Sequence, residues 1–485
     1  MSRYFRYRSL ADLHADIVKL GLEDDVRLTD DLSPLWRPVA FGGRTIGNAL
    51  AIQPMEGCDG TLDGKPDELT VRRWERFGAG GAKLIWGEAT AVVEEGRANT
   101  RQLLINETNA RALDDLLART RAAHRTVCGS DDDLVVGLQL THSGRYSYQR
   151  PLIAFHDPAV DPITLADKKR KLPVTDEYPI LSDDDLKRIE DALVAGALLA
   201  WRIGFDFVDI KQCHRYLLSE LLAAKLREGV YGGSLDNRTR LVRNVIRRIR
   251  EETGDRLPLA SRMNVYDGIP YRIDPETSVG VHRLYPIPYR SGFGVDEQNP
   301  FREDLTEPIR VAGLLREWGV TMVNVTMGSP YYNPHVGRPA EKPPIDGYEA
   351  PEHPLYGVAR HFRCAAAVQR AHPDLVVVGT GYSWLQQYLI NAAAANMRDG
   401  RVTIAGVGRG ALAYPNFARD AQTAGSMAGK KVCITVSYCT ALMRGKHNEL
   451  GQFPSGCVPR DKVYAEVYKE MLRTSDRQKS VTSDK

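Results

Sequence analysis

Eight short runs of apolar, often β-branched residues recur along this chain, each parted from the next by a longer amphipathic stretch. No other feature restricts the fold as strongly. The runs occupy residues 49–53, 83–88, 134–140, 207–211, 257–263, 322–326, 375–379 and 402–406. Most are continuously apolar rather than alternating, as expected of strands covered on both faces in a parallel sheet with helical crossovers. Residues 182–201 place Leu186, Ile189, Leu193, Ala197 and Leu198 near the 3.6-residue period behind Ser182 as N-cap, and residues 236–252 form a second such helix. Eight βα units predict an α/β fold, a TIM (β/α)8 barrel.

A chain of 485 residues leaves material beyond a bare barrel. Residues 1–40 read as an N-terminal extension, 41–430 as the barrel, and 431–485 as a cysteine-containing C-terminal extension whose last dozen residues read as a disordered tail. Stretches 146–180 and 266–303, rich in Pro, Tyr, Gly and charge, follow the carboxyl ends of strands. They are insertions on the face where barrel enzymes keep their active sites, as a substrate lid or as surface decoration. The 65 basic and 62 acidic residues leave a net charge of +3, which argues against nucleic acid or an anionic membrane as partner and favours a small molecule. No apolar run approaches the ~20 residues of a bilayer span, and the amino terminus has no signal-like apolar core, so a cytoplasmic location is expected. Seven cysteines, odd in number and mostly scattered, do not suggest a disulfide framework.

Polar and glycine-rich phrases follow the strands. Pro54-Met55-Glu56-Gly57-Cys58 comes after the first, Gln139-Leu140-Thr141-His142-Ser143-Gly144-Arg145 closes the third, and Lys211, His214 and Tyr216 follow the fourth, with YGGSLDNR at 231–238. GSPYYNPH lies at 328–335 and Gly406-Val407-Gly408-Arg409 near the end. In order and at the strand ends, these resemble the old yellow enzyme (NADH:flavin oxidoreductase) family, nearest the barrel domain of the 2,4-dienoyl-CoA reductase / trimethylamine dehydrogenase branch. The resemblance covers roughly residues 35 to 460.

The resemblance implies FMN as cofactor and NAD(P)H as electron donor. It implies cofactor contacts at Pro54, Met55, Glu56, Glu88, Gln139, Arg262, Gly379, Gly381, Gly408 and Arg409. A glutamine at 139 can donate and accept at the pyrimidine edge of the flavin, and a cation at 262 favours the negative charge of a reduced ring. Glycine-rich turns after strands seven and eight suit a phosphate, although by themselves they could be tight turns. In the family's ene-reductases, the positions of Lys211 and His214 hold the substrate carbonyl oxygen and that of Tyr216 supplies a proton. Lys211 stands where the family has histidine; it would favour an anionic oxygen, act as acid or base, or pair structurally with a carboxylate. Glu56 departs from the family's threonine or cysteine and could pair with Lys211, with Cys58 as an alternative flavin neighbour. His142, Tyr331 and Tyr332 are expected to bind substrate.

Cys433, Cys439 and Cys457 fall where that branch carries a four-cysteine iron–sulfur motif beginning C-x2-C-x3-C, but Val436 and Thr440 occupy the second and third ligand positions. A lost cluster with retained thiols, a three-cysteine [3Fe-4S] or [4Fe-4S] site, and disulfide or zinc chemistry stand as alternatives. The reading overall is an FMN-dependent oxidoreductase moving hydride between reduced flavin and an unsaturated carbonyl compound or acid. Its alternatives are a dehydrogenase or demethylase passing electrons to a partner protein, and a flavin-free barrel lyase using Lys211 as a Schiff-base nucleophile. A homo-oligomer is compatible with each.

Overall fold

The computed structural model describes residues 4–344, 347–446 and 448–483. Eight parallel strands close into a barrel: β1 Leu50–Ile52, β2 Leu84–Ala91, β3 Val135–Thr141, β4 Phe207–Ile210, β5 Leu259–Asn264, β6 Val320–Thr326, β7 Val376–Gly379 and β8 Ile404–Val407. Each predicted run holds one strand, with the ends moved. The second reaches three residues past its predicted end because a register irregularity between Trp86 and Ala89 lets β2 resume pairing with β3.

Helices α1 Glu68–Gly78, α2 Ala110–Cys128, α3 Asp183–Ile203, α4 Leu235–Thr253, α5 Thr306–Glu317, α6 Pro354–Ala371, α7 Leu389–Arg398 and α8 Phe417–Ala424 follow the strands in turn. Ser182 caps α3 as predicted, in a full capping box with Asp185 that satisfies amide groups otherwise without partners. The lower barrel is filled by Phe41, Trp86, Phe207, Met322, Ile404 and their neighbours. Phe41 comes from a small hairpin, Val39–Phe41 with Arg44–Ile46, which stoppers that end and spans the predicted boundary at residue 40.

Both insertions stand on the carboxyl face, each with a short antiparallel pair: Leu165–Asp167 with Leu172–Pro173, and Tyr271–Ile273 with Gly280–His282. The C-terminal extension returns to the same face through the helix Tyr438–Arg444. The expected disordered tail is corrected: the last helix runs from Lys462 to Ser483, and residues 484–485 lie outside the described residues. Asp461, accepting from Arg72 at 2.9 Å and also from Arg76, ties the start of this helix to α1.

Candidate active site

Above the apolar plug the barrel turns polar, and every polar atom there needs a partner because water is excluded. Asp209, buried on β4, accepts from Trp86 Nε1 at 2.7 Å, Gln139 Nε2 at 2.5 Å and the Arg262 backbone amide at 2.8 Å. Gln53 at the end of β1 accepts from Asn324 Nδ2 at 2.6 Å. This layer floors a cavity of about 1010 Å³ bounded by strand-end loops, both insertions and the C-terminal extension.

Lys211, His214 and Tyr216 converge on the cavity from the turn after β4. The turn is unusual: His214 and Arg215 both adopt left-handed backbone, with φ of 65° and 60°. Two such residues in succession reverse the chain, so His214 faces the cavity while Arg215 faces away. The Arg215 guanidinium enters a buried junction with Asp157 (2.6 Å) from the first insertion and with Asp267 (3.0 Å) and the Ser291 carbonyl (2.6 Å) from the second. Asn264 at the end of β5 completes the support, accepting from the His214 amide at 3.1 Å and donating to Asp267 Oδ1 and the Gly328 carbonyl.

The Lys211 ammonium lies 3.9 Å from the centroid of the Tyr216 ring, a cation–π contact. No carboxylate comes within 4.0 Å of it among the described residues, so the expected structural ion pair, with Glu56 or another acid, is not formed. Glu56 instead accepts from the side-chain amides of Asn99 and Gln102. Burial and nearby Arg262 lower the affinity of Lys211 and His214 for protons, leaving the imidazole neutral at ordinary pH. Burial, the charge of Glu56 and the Tyr331 hydroxyl push the Tyr216 phenol well above its usual range, so it stays protonated. Burial raises Glu56 to about 7, partly offset by Lys211.

Pro54, Met55, Gln139, Arg262, Gly381, Gly408, Arg409 and Tyr331 also line the cavity, as expected. Four other expected contacts do not. Glu88 is turned aside to hold the Gly57 amide (3.1 Å), Trp74 Nε1 (2.9 Å) and Arg73. His142 is buried with Nδ1 accepting from Gly144, its carbonyl accepting from the Leu217 amide, and its proton affinity lowered by burial to about 4. Tyr332 is buried beside the Arg215 junction, and Gly379 lies behind the lining strand end against Val402. For Glu88, Gly379 and Tyr332 a neighbour in sequence, Ala89, Thr380 or Tyr331, reaches the cavity, and strand or turn alternation sends the expected residue to the other side.

The motifs that identify the chain most sharply are largely scaffold. Gly144 has φ of 55°, and a side chain there would fall 2.9 Å from the Leu217 backbone, so only glycine lets the β3 loop sit against the helix Leu217–Leu222. Arg145 then pairs with Glu220 at 2.7 Å, locking the two phrases together. Ser234 caps α4, and Arg238 returns to the carbonyls of Gly233 and Leu222, all outside the cavity.

Cys433, Cys439 and Cys457 surround a pocket of about 20 Å³ beside Arg409 and Val436 as free thiols. Among the described residues no three His, Cys, Asp or Glu side chains are placed to hold a metal ion, so the cluster expectation is not supported by the geometry. The segment does contribute to the large cavity, through Cys439, Thr440, Met443 and Ser455. Tyr146, Gln53 and Asn264 were not expected from sequence. For Gln53 and Asn264 the available signal was a polar residue ending an apolar strand; Tyr146 follows directly on the β3 phrase.

The donor set fits FMN. Arg262 carries a buried Nε with no partner, and no ion pair reaches its guanidinium among the described residues. Arg409, at the turn after β8, has a buried Nη1 likewise unpartnered. At Gly408 an added side-chain carbon would meet nothing nearer than 3.7 Å, leaving an open backbone cradle beside it. Gln139 gives one N–H to Asp209, which fixes the amide and leaves its carbonyl and second N–H as the groups that could meet the pyrimidine edge of a flavin.

A closed barrel with a polar floor and guanidinium groups open to its cavity is the architecture of a barrel enzyme suited to a flavin. The chain belongs to the NADH:flavin oxidoreductase / NADH oxidase family, whose model matches residues 34–279. It is 29% identical over 221 residues to an NADPH dehydrogenase of Halalkalibacterium halodurans, a match covering 44% of this chain and 59% of that protein. Its fold is similar to that of a 2-naphthoyl-CoA reductase (TM-score 0.65, 16% identity, 90% of this chain and 58% of that one). An old yellow enzyme homologue from Zymomonas mobilis gives a TM-score of 0.57 at 19% identity, covering 82% and 94% of the two chains. At these identities the structural likeness is one of fold.

Proposed function

We propose that this chain is an FMN-dependent oxidoreductase of the ene-reductase type, drawing electrons from NAD(P)H and reducing the carbon–carbon double bond of an unsaturated carbonyl compound or acid. The observation that carries this reading is the convergence of Lys211, His214 and Tyr216 on the cavity that Arg262 also faces. Bound FMN supplies the hydride. Lys211, with three donors and no carboxylate within 4.0 Å, and His214 hold and polarise the substrate's carbonyl or carboxylate oxygen. Tyr216, kept protonated by burial, gives its phenolic proton to the carbon next to that carbonyl. The Arg262 guanidinium, with no ion-pair partner among the described residues, would offset negative charge on a reduced flavin held in the cavity.

Among the described residues lining the cavity, nine are lysine or arginine and Glu56 alone is acidic, which supports an anionic or strongly polarised substrate over a cationic amine. The flavin-free lyase reading would leave Arg262 and Arg409 without a purpose. An absorption spectrum of the purified or FMN-reconstituted protein should show a flavin profile. Tyr216→Phe should slow oxidation of the reduced enzyme by 2-cyclohexenone by about 100-fold or more while reduction by NADPH proceeds as before. A colourless protein that takes up no FMN, or a Tyr216→Phe variant with full turnover, would refute the reading.

A further inference from the structure

A proton donor buried at 5% exposure must be recharged after each turnover, and its own ring is closed in by Lys211. The Tyr216 hydroxyl lies 2.9 Å from the hydroxyl of Tyr331, which belongs to the loop after β6 and is 44% exposed. The Tyr331 ring stacks on Tyr146 with centroids 3.8 Å apart and planes 9° from parallel. That contact and the bond from its amide to Ser329 Oγ at 3.3 Å hold Tyr331 in place despite its exposure.

We propose that Tyr331 is the proton-supplying residue for this site: after Tyr216 has protonated the substrate, Tyr331 passes its phenolic proton to the Tyr216 oxygen and is itself reprotonated by solvent. The inference rests on Tyr216 being the donor. In the step the O–H bond of Tyr331 breaks and that of Tyr216 forms; water then restores the Tyr331 proton, so the net proton added to substrate comes from solvent and no electrons move. The Lys211 ammonium against the Tyr216 ring favours the short-lived tyrosinate that must wait for this proton. Burial holds the protons of both phenols more tightly than in free tyrosine, so transfer to the Tyr216 oxygen depends on the short hydroxyl–hydroxyl contact between them.

Tyr331→Phe removes one oxygen from an exposed ring and keeps the stack on Tyr146. In FMN-loaded full-length enzyme, the first turnover of pre-reduced protein with 2-cyclohexenone should keep its rate, because Tyr216 starts protonated. Steady-state kcat should fall by about tenfold or more, recover with rising concentration of a small buffer acid such as imidazolium, and return in Tyr331→His. An unchanged kcat overturns the proposal. So does a first turnover slowed as much as kcat, which would make Tyr331 a support for the Tyr216 ring. Full activity in Tyr216→Phe instead removes the donor reading beneath it, and the two failures are thereby told apart.

Discussion

Glu56 is the residue whose chemistry departs most from its neighbours: the one carboxyl in a cavity whose other charged lining residues, among those described, are all basic, pushed up to about 7 by burial and by Glu88, and pulled down by Lys211 and Arg73. Because its proton affinity is raised, it is neutral below that pH and adds a negative charge at the site above it. A negative charge there opposes the build-up of charge on a reduced flavin. We therefore expect the flavin's reduction potential to drop as pH rises through about 7 beyond the ordinary proton-coupled slope, and this extra inflection to vanish in Glu56→Gln; potentiometric titration measures both. For stability the sign is the same: ionising a carboxyl whose folded affinity is raised disfavours the fold, so the gain of Glu56→Gln over the parent should be absent near pH 4, grow as pH rises and be full above about 7. The special residue types of the site were legible in sequence because lysine, histidine and tyrosine at strand ends are costly to place without use. The direction of each side chain was not. Tyr331 and Tyr332 are adjacent and alike in chemistry, and only backbone dihedrals send one to the cavity and the other to the Arg215 junction.

At the scale of elements, all eight strands and the two helices placed over 182–201 and 236–252 followed from period and punctuation, since burial on both faces writes itself as an unbroken apolar run. The insertions and the C-terminal extension did not yield in the same way, because their anchors are long-range ion pairs that leave no periodic trace. Arg215 is the clearest case, joining two insertions more than a hundred residues apart in sequence through Asp157 and Asp267. Removing it would leave two buried carboxylates unpaired. Arg215→Met should cost about 3–5 kcal/mol in chemical denaturation, and Arg215→Lys should recover little of it because one ammonium cannot reproduce the forked contact. Asp461 is a second case, buried between Arg72 and Arg76, which are themselves partly exposed; those pairs outweigh burial and hold its carboxyl below the usual range. Its contribution is present at neutral pH and lost on acidification through that lowered value. Asp461→Asn should therefore lower the melting temperature at pH 7, by an amount that shrinks as the pH is taken down through the lowered value of this carboxyl.

For the molecule as a whole, a net charge of +3 conceals a strong local imbalance, since nine of the ten Lys, Arg, Asp and Glu residues lining the cavity are basic. The overall charge of the chain carried no information about the cavity. A carboxylate-bearing enoate should accordingly show a KM that rises several-fold between 20 mM and 500 mM salt, with kcat steady, whereas 2-cyclohexenone should show no such dependence. The left-handed pair at His214 and Arg215 has one more consequence, for anyone wishing to re-engineer the enzyme. The turn that presents the reactive side chains is clamped from behind by both insertions at once. Exchanging either insertion with that of a relative would loosen the catalytic turn unless its aspartate travels too. The turn and the two insertions thus form one mechanical unit, to be exchanged as three segments together and not one loop at a time.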